Sequence, residues 1–173
     1  MPGSGKSTVV SALKNRSFEA LNLGDGVRAE AKRRNLEPSG DNLGKLMLEL
    51  REKNGPGAIA ALLTEPIKNS QSKVIIIDGV RSIAEIEVLK DVGTVKLLSI
   101  EAAADTRYMF LSSRGRSDDP ATREKFEERD NRELGVGIGE SIAIADETIS
   151  NSDITLDELT ELAYKVIEKW INT

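Results

Sequence analysis

Taken as a series of apolar and polar positions, the chain switches repeatedly between the period of a strand and that of a helix. Residues 18–23 alternate and predict a short strand. Residues 73–79 are a continuous β-branched run ending in Asp78-Gly79, which predicts a strand buried on both faces, as in a parallel sheet. Residues 94–100 predict a second buried strand, and 145–151 a last short one around Thr148 and Ile149. Helical patterns lie between them. Residues 5–13 suit a short helix, and Asp25 is placed to cap the next one, which carries Arg28 one turn inside. After a break at residues 38–40, Leu43, Leu46, Met47 and Leu50 recur at i, i+3, i+4 and i+7, the mark of an amphipathic helix. Gly55, Pro56 and Gly57 end it, and residues 58–67 predict another helix. Ser82 and Glu85 form a capping box ahead of a further helix, followed by helices over 105–113 and from about 120 to 133. Gly135, Gly137 and Gly139 predict a flexible connector. Thr155 and Glu158 form a second capping box, opening a C-terminal helix with Leu159, Leu162, Val166 and Ile167 on its apolar side. Strands alternating with helices predict one α/β domain over residues 1–173 with a mainly parallel sheet.

In such sheets ligands bind beyond the carboxyl ends of the strands. The turns at Gly24-Asp25 and Asp78-Gly79 and the first residues of the chain all belong to that edge. The first residues carry the strongest motif. Gly5-Lys6-Ser7 is the second half of a phosphate-binding P-loop, G-x-x-x-x-G-K-[ST], whose opening Gly would fall one position before Met1. Gly3, Ser4 and Gly5 would let the backbone wrap a polyphosphate with its N–H groups inward. The helix behind adds the positive end of its dipole at Ser7 and Thr8. Lys6 would reach the β- and γ-phosphates, and the Ser7 hydroxyl would ligate Mg²⁺. The plain alternative is a Gly-Ser tail. The buried strand that should precede the loop is also missing. The pattern therefore predicts a natural start several residues upstream of Met1 and a gap at the sheet centre.

Composition narrows the chemistry. There is no Cys and no His, which excludes disulfides, thiolate or imidazole metal sites, and Ser-His or Cys-His nucleophiles. What remains is Asp, Glu, Lys, Arg, hydroxyls and a bound ion, and phosphoryl transfer needs little more. A net charge of −5 argues against a general nucleic-acid binder. No apolar run reaches the length of a membrane span and no signal peptide opens the chain, so a cytoplasmic location is expected.

Asp78, closing the most apolar strand, is either a carboxylate that acts on Mg²⁺ or a simple turn cap. Six of the twelve arginines, Arg107, Arg114, Arg116, Arg123, Arg129 and Arg132, fall between residues 107 and 132. Their forked guanidiniums suit phosphate oxygens and developing transition-state charge. Arg129 and Arg132 are a turn apart and can face one way; the alternative is a solvated helix surface. Residues 114–120 are polar and read as a cover over a site. Asp25 with Arg28, and Asp78 with Arg81, are two acid-x-x-Arg pairs at the ligand edge. They suggest an anionic acceptor site in which Asp25, Arg28 and Arg81 orient the substrate.

These stretches resemble the nucleoside-monophosphate kinase branch of the P-loop kinases, which includes adenylate kinase and the dephospho-CoA kinases. Gly24-Asp25-Gly26-Val27-Arg28 is similar to the adenylate-kinase Gly-Asp-x-x-Arg. Asp78-Gly79-Val80-Arg81 is one residue shorter than the corresponding Asp-Gly-x-Pro-Arg, and Arg116-Ser117-Asp118-Asp119 resembles the lid. Over nearly its whole length the chain looks like the archaeal UPF0200-type, adenylate-kinase-related group, through Met1 to Ser7, Ile77 to Ser82, Arg114 to Pro120 and Arg129 to Gly135. The resemblance implies ATP as cofactor with Mg²⁺, and a three-layer fold with a five-stranded parallel sheet in the order 2-3-1-4-5, its first, central strand missing here. It also implies a lid-like segment at about 114–133 and an acceptor-binding insertion at about 25–70. Catalytic roles fall to Lys6, Asp25, Arg116, Arg129 and Arg132, ATP binding to Gly3 through Thr8, and metal binding to Ser7 and Asp78. The expected function is Mg-dependent phosphoryl transfer from ATP to a nucleotide or other anionic small molecule. The alternative is a non-catalytic, nucleotide-binding regulatory module.

Overall fold

The computed structural model describes residues 1–115 and 119–173 of the chain. In order, the elements are α1 (Lys6–Asn15), β1 (Glu19–Asn22), α2 (Leu23–Arg33), α3 (Gly40–Asn54), α4 (Ala58–Ala61) and α5 (Thr64–Asn69). Next come β2 (Ile75–Asp78), α6 (Ile83–Lys90), β3 (Leu98–Glu101) and α7 (Ala104–Arg114). The chain closes with α8 (Arg123–Val136), α9 (Ile138–Ala143), β4 (Glu147–Ser150) and α10 (Leu156–Ile171). Among the described residues every strand pairing is parallel. β1 lies beside β2 with Asn22 opposite Asp78, and β3 lies beside β4 with Glu101 opposite Ser150. The described residues thus form two two-stranded parallel sheets, where the expectation was one sheet in the order 2-3-1-4-5. Among the described residues no strand hydrogen-bonds one pair to the other.

Each pair has its own apolar core. Leu23 and Val27 of α2, Leu43, Leu46 and Leu50 of α3, Ile59 and Leu89 pack together on one side. Val9 and Leu13 of α1, Ile100, Ile149 and the inner face of α10 pack on the other. β2 serves both, because successive strand side chains point to opposite faces: Ile77 packs against the first cluster and Ile76 against the second. No helix among the described residues is long and apolar enough to cross a membrane.

Several local expectations are corrected by packing. Asn22, not Asp25, caps α2: its Oδ1 accepts from the Gly24 amide at 2.7 Å, because α2 follows β1 with no linker. Asp25 then sits in the first turn, where a carboxylate still favours the helix dipole. Residues 58–67 divide into α4 and α5. The Gly-rich stretch is helical rather than a free connector, since α8 runs to Val136 and only Gly137, at φ +108°, makes the turn into α9. The box at Thr155 is complete, with both reciprocal hydrogen bonds. At Ser82 only half forms: Ser82 Oγ accepts from the Glu85 amide at 3.3 Å, while the fully buried Glu85 carboxylate takes Arg51 Nη2 at 2.6 Å and the Arg81 amide at 2.7 Å. On α10 the buried stripe is Leu159, Ala163 and Ile167, and Leu162 is 43 % exposed.

Candidate functional site

The P-loop is held from behind. Ser4 is fully buried, and the Asn151 side-chain amide, just past β4, donates to the Ser4 carbonyl at 3.0 Å. Gly3 and Gly5 adopt φ of +80° and +104°, which favours glycine. A Cβ on Gly5 would lie 2.7 Å from Asn151 Nδ2, and one on Gly3 2.7 Å from the Arg107 carbonyl. Arg107, buried under α8, donates to the Pro2 carbonyl at 3.1 Å and grips Asp130 through both Nη atoms at 2.9 and 2.5 Å. Its guanidinium also lies over the Phe126 ring. Arg107 is thus a brace for the loop rather than a cleft-facing cation. Gly5 caps α1 with no side-chain hydrogen bond, and the first turn of α1 carries no acid. The start of α1 therefore keeps its amides and dipole for an anion, which fits a polyphosphate.

In front of the loop lies a cavity of about 100 Å³. Its lining brings together Gly3, Lys6 and Ser7 of the loop, Asp78, Gly79 and Arg81 after β2, and Arg28, Arg114 and Arg129. Lys6 Nζ donates to the Met1 carbonyl at 2.6 Å and to Ser4 Oγ at 3.3 Å. Burial lowers its pKa from 10.5 to about 8, with Asp78 pulling upward and Arg81 pushing further down. Thr8 stands a turn further along α1, its amide bonded to the Gly5 carbonyl at 3.0 Å. Asp78 is buried and accepts from Asn22 Nδ2 at 2.9 Å, so the two strand ends are tied where they meet the cavity. Among the described residues no group of three or more carboxylates could hold a metal by itself. A hydroxyl, one carboxylate and phosphate oxygens are the donor set that remains, and it suits Mg²⁺.

The arginines divide by location. Arg81 is committed inside the protein: its Nε meets Glu133 at 2.5 Å and its Nη1 the Gly79 carbonyl at 2.7 Å. Burial would lower its pKa, but the Glu133, Glu85 and Asp78 carboxylates together offset that and the net shift is upward. Arg28 pairs with the exposed Asp25 at 2.6 Å. Asp25 borders an open groove that also takes in Ser7, Arg28 and Asp78, beside the cavity rather than within it. Arg114 chelates Asp119 and still lines the cavity. Arg129 lines both this cavity and a further cleft beside it, while Arg132 lines that further cleft but not the P-loop cavity. Arg123 is on the surface with Asp105 and Glu127. Arg116 lies outside the described residues. Among the contributors that no sequence motif marks are Asn151 and Glu133. For Asn151 the visible signal was an Asn directly after an edge-forming strand. Glu133 carried no signal, because its spacing matches that of any Glu on a helix surface.

A glycine loop ahead of an uncapped helix, a lysine in its mouth and a carboxylate at the neighbouring strand end define a P-loop nucleotide-binding domain of kinase-like type. The family model described as an AAA domain matches residues 1–127. A UPF0200 protein of Pyrococcus abyssi is 40% identical over 158 residues, covering 88% of this chain and 84% of its own. One from Methanothrix thermoacetophila is 42% identical over 173 residues, covering 98% and 93%, and one from Hyperthermus butylicus 36% over 169 residues, covering 98% and 90%. The chain belongs to the UPF0200 family, and its AAA domain match ends within α8, before Arg129.

Proposed function

We propose that the chain is an ATP-dependent phosphotransferase that uses Mg²⁺ and acts on a small anionic acceptor. One observation carries this reading: the P-loop residues Lys6 and Ser7 share a single cavity with Asp78 and with Arg28, Arg114 and Arg129. A triphosphate on the loop would point its γ-phosphate into that row of cations. Lys6 would follow the charge as it moves, and Arg114 and Arg129 would stabilise the transferring group. Ser7 and Asp78 would hold Mg²⁺, which when bound neutralises charge on the phosphate oxygens. In the transfer, an acceptor oxygen bonds to the γ-phosphorus while the bond from that phosphorus to the β-phosphate bridging oxygen breaks, releasing ADP. A phosphate acceptor is largely dianionic at neutral pH and has no proton to lose, so no general base is needed. The reading also places the two strand pairs in one sheet of order 2-3-1-4-5, with the loop between them.

The test is ADP release in a coupled assay over nucleotides and CoA precursors, with Lys6→Ala as control. Turnover with one acceptor that disappears in Lys6→Ala is the expected result. ATP binding without turnover across the panel would favour a regulatory module instead.

A further inference from the structure

Asn22 ends β1 in register with Asp78 at the end of β2, and its side-chain amide is used through both of its polar atoms. Oδ1 accepts from the Gly24 amide at 2.7 Å, and Nδ2 donates to Asp78 Oδ2 at 2.9 Å. Only the first of these bonds is needed to start α2, since Ser or Asp caps a helix as well as Asn does, with an oxygen alone. The donor is what an amide adds. It goes to the carboxylate that shares the P-loop cavity with Lys6 and Ser7. The backbone leaves room for this arrangement. A Cβ on Gly24 would lie 2.9 Å from Asn22 Oδ1, too close for a side chain, and the Cβ position of Gly79 is 3.8 Å from the same atom.

Asp78 is itself unusual. It is only 8 % exposed, yet among the described residues its carboxylate joins no ion pair, and the Asn22 amide gives it its one hydrogen bond. Lys6 feels its charge, but the Lys6 ammonium donates to Met1 and Ser4 instead. A buried carboxylate held only by a neutral donor keeps its full charge, which is costly unless a cation completes it. We propose that Asn22 is a positioning residue of a divalent-cation site: it holds one oxygen of Asp78, leaves the other for the cation, and ties that carboxylate to the start of α2. Carboxylates that bind metals are in turn held by hydrogen bonds, and losing such a partner costs roughly 10- to 100-fold in metal affinity. The inference rests on the phosphotransferase reading only for the use to which the cation is put; the bonds of Asn22 and the unpaired charge of Asp78 stand without it.

The intact chain is compared with Asn22→Ser and Asn22→Asp, which both keep an oxygen to cap α2 and lose the amide donor to Asp78. ATP is titrated by calorimetry with Mg²⁺ and again with EDTA, and Mn²⁺ alone is titrated by electron paramagnetic resonance. In Asn22→Ser, affinity for ATP with Mg²⁺ should fall about tenfold, while affinity for metal-free ATP stays within about twofold. Mn²⁺ alone should bind about tenfold more weakly to Asn22→Ser and about tenfold more tightly to Asn22→Asp, where a second carboxylate stands beside Asp78. Should Asn22→Asp fail to fold, Asn22→Ser carries the Mn²⁺ comparison. Equal losses of ATP affinity with and without metal in Asn22→Ser would make Asn22 a helix cap alone and overturn the proposal. So would a Mn²⁺ affinity that the substitutions leave unchanged. If the wild type binds no ATP, the phosphotransferase reading falls and the Mn²⁺ titrations decide by themselves: weaker binding in Asn22→Ser upholds the role of Asn22, and unchanged binding ends it.

Discussion

Arg81 and Glu133 meet at 2.5 Å in a buried pair that ties the turn after β2 to α8. Three residues earlier on α8, Asp130 makes the matching pair with Arg107, which holds the P-loop backbone at Pro2. The acids of α8 thus fasten it to both sides of the cavity, and Arg129, beside Asp130 in sequence, is set on the cavity wall.

Removing Glu133 leaves a guanidinium buried without its charge partner. Glu133→Ala should destabilise the fold by about 3–5 kcal/mol in urea unfolding, the range for breaking a buried pair from one side. The double change Arg81→Met with Glu133→Leu should recover much of that loss. An equal loss in the double variant would show that packing rather than charge is what the pair supplies.

Asn151 should act on the loop from outside it. Asn151→Ala leaves the buried Ser4 carbonyl without its donor, an expected loss of about 1–3 kcal/mol. Because Ser4 stands two residues before Lys6, triphosphate affinity, measured by calorimetry, should fall as well. Unchanged ATP affinity in a variant with the expected stability loss would show that this bond shapes the fold and not the loop.

Two glycines should respond to alanine with opposite signs. Gly135 lies in α8 with open space around its Cβ position, and Gly135→Ala should stabilise by roughly 0.5–1 kcal/mol. Gly5→Ala meets Asn151 and Leu159 at φ +104° and should destabilise by roughly 1–3 kcal/mol. Thermal unfolding of the two variants side by side checks the contrast.

Lys6 sets a pH dependence. Its pKa falls from 10.5 to about 8 on folding, chiefly by burial. Between those values the unfolded chain binds a proton that the folded chain has released, so the contribution of Lys6 to stability rises with pH across that window. Below the window the cost of burying the charge is fully present. Lys6→Met should therefore stabilise the protein at pH 7, with the gain shrinking toward zero near pH 10.5. Urea titrations at several pH values test this, and a gain independent of pH would refute the buried-charge account.

Much was legible in the chain because it is written in local period and local chemistry. The alternation of residues 18–23 and the β-branched run of 73–79 contain β1 and β2, although the strand expected over 94–100 begins only at Leu98. Gly5-Lys6-Ser7 and the complete capping box at Thr155 act through neighbours a few residues apart, so their geometry follows from sequence spacing. The errors arise where a distant partner outcompetes a near one. Glu85 leaves its capping box because Arg51, 34 residues away, offers a buried charge. Nor does spacing foretell that Arg107 and Arg81 pair with Asp130 and Glu133 on α8, although Arg81 still lines the cavity.

What the sequence determined by itself is therefore the loop, its helix and the parallel α/β class, all set by short-range hydrogen bonding and periodic burial. Only the tertiary structure decided which of many arginines keep a side open to the cavities and which are consumed as braces. A guanidinium goes to the carboxylate that folding desolvates beside it, and that pairing depends on three-dimensional distance, which residue spacing does not encode.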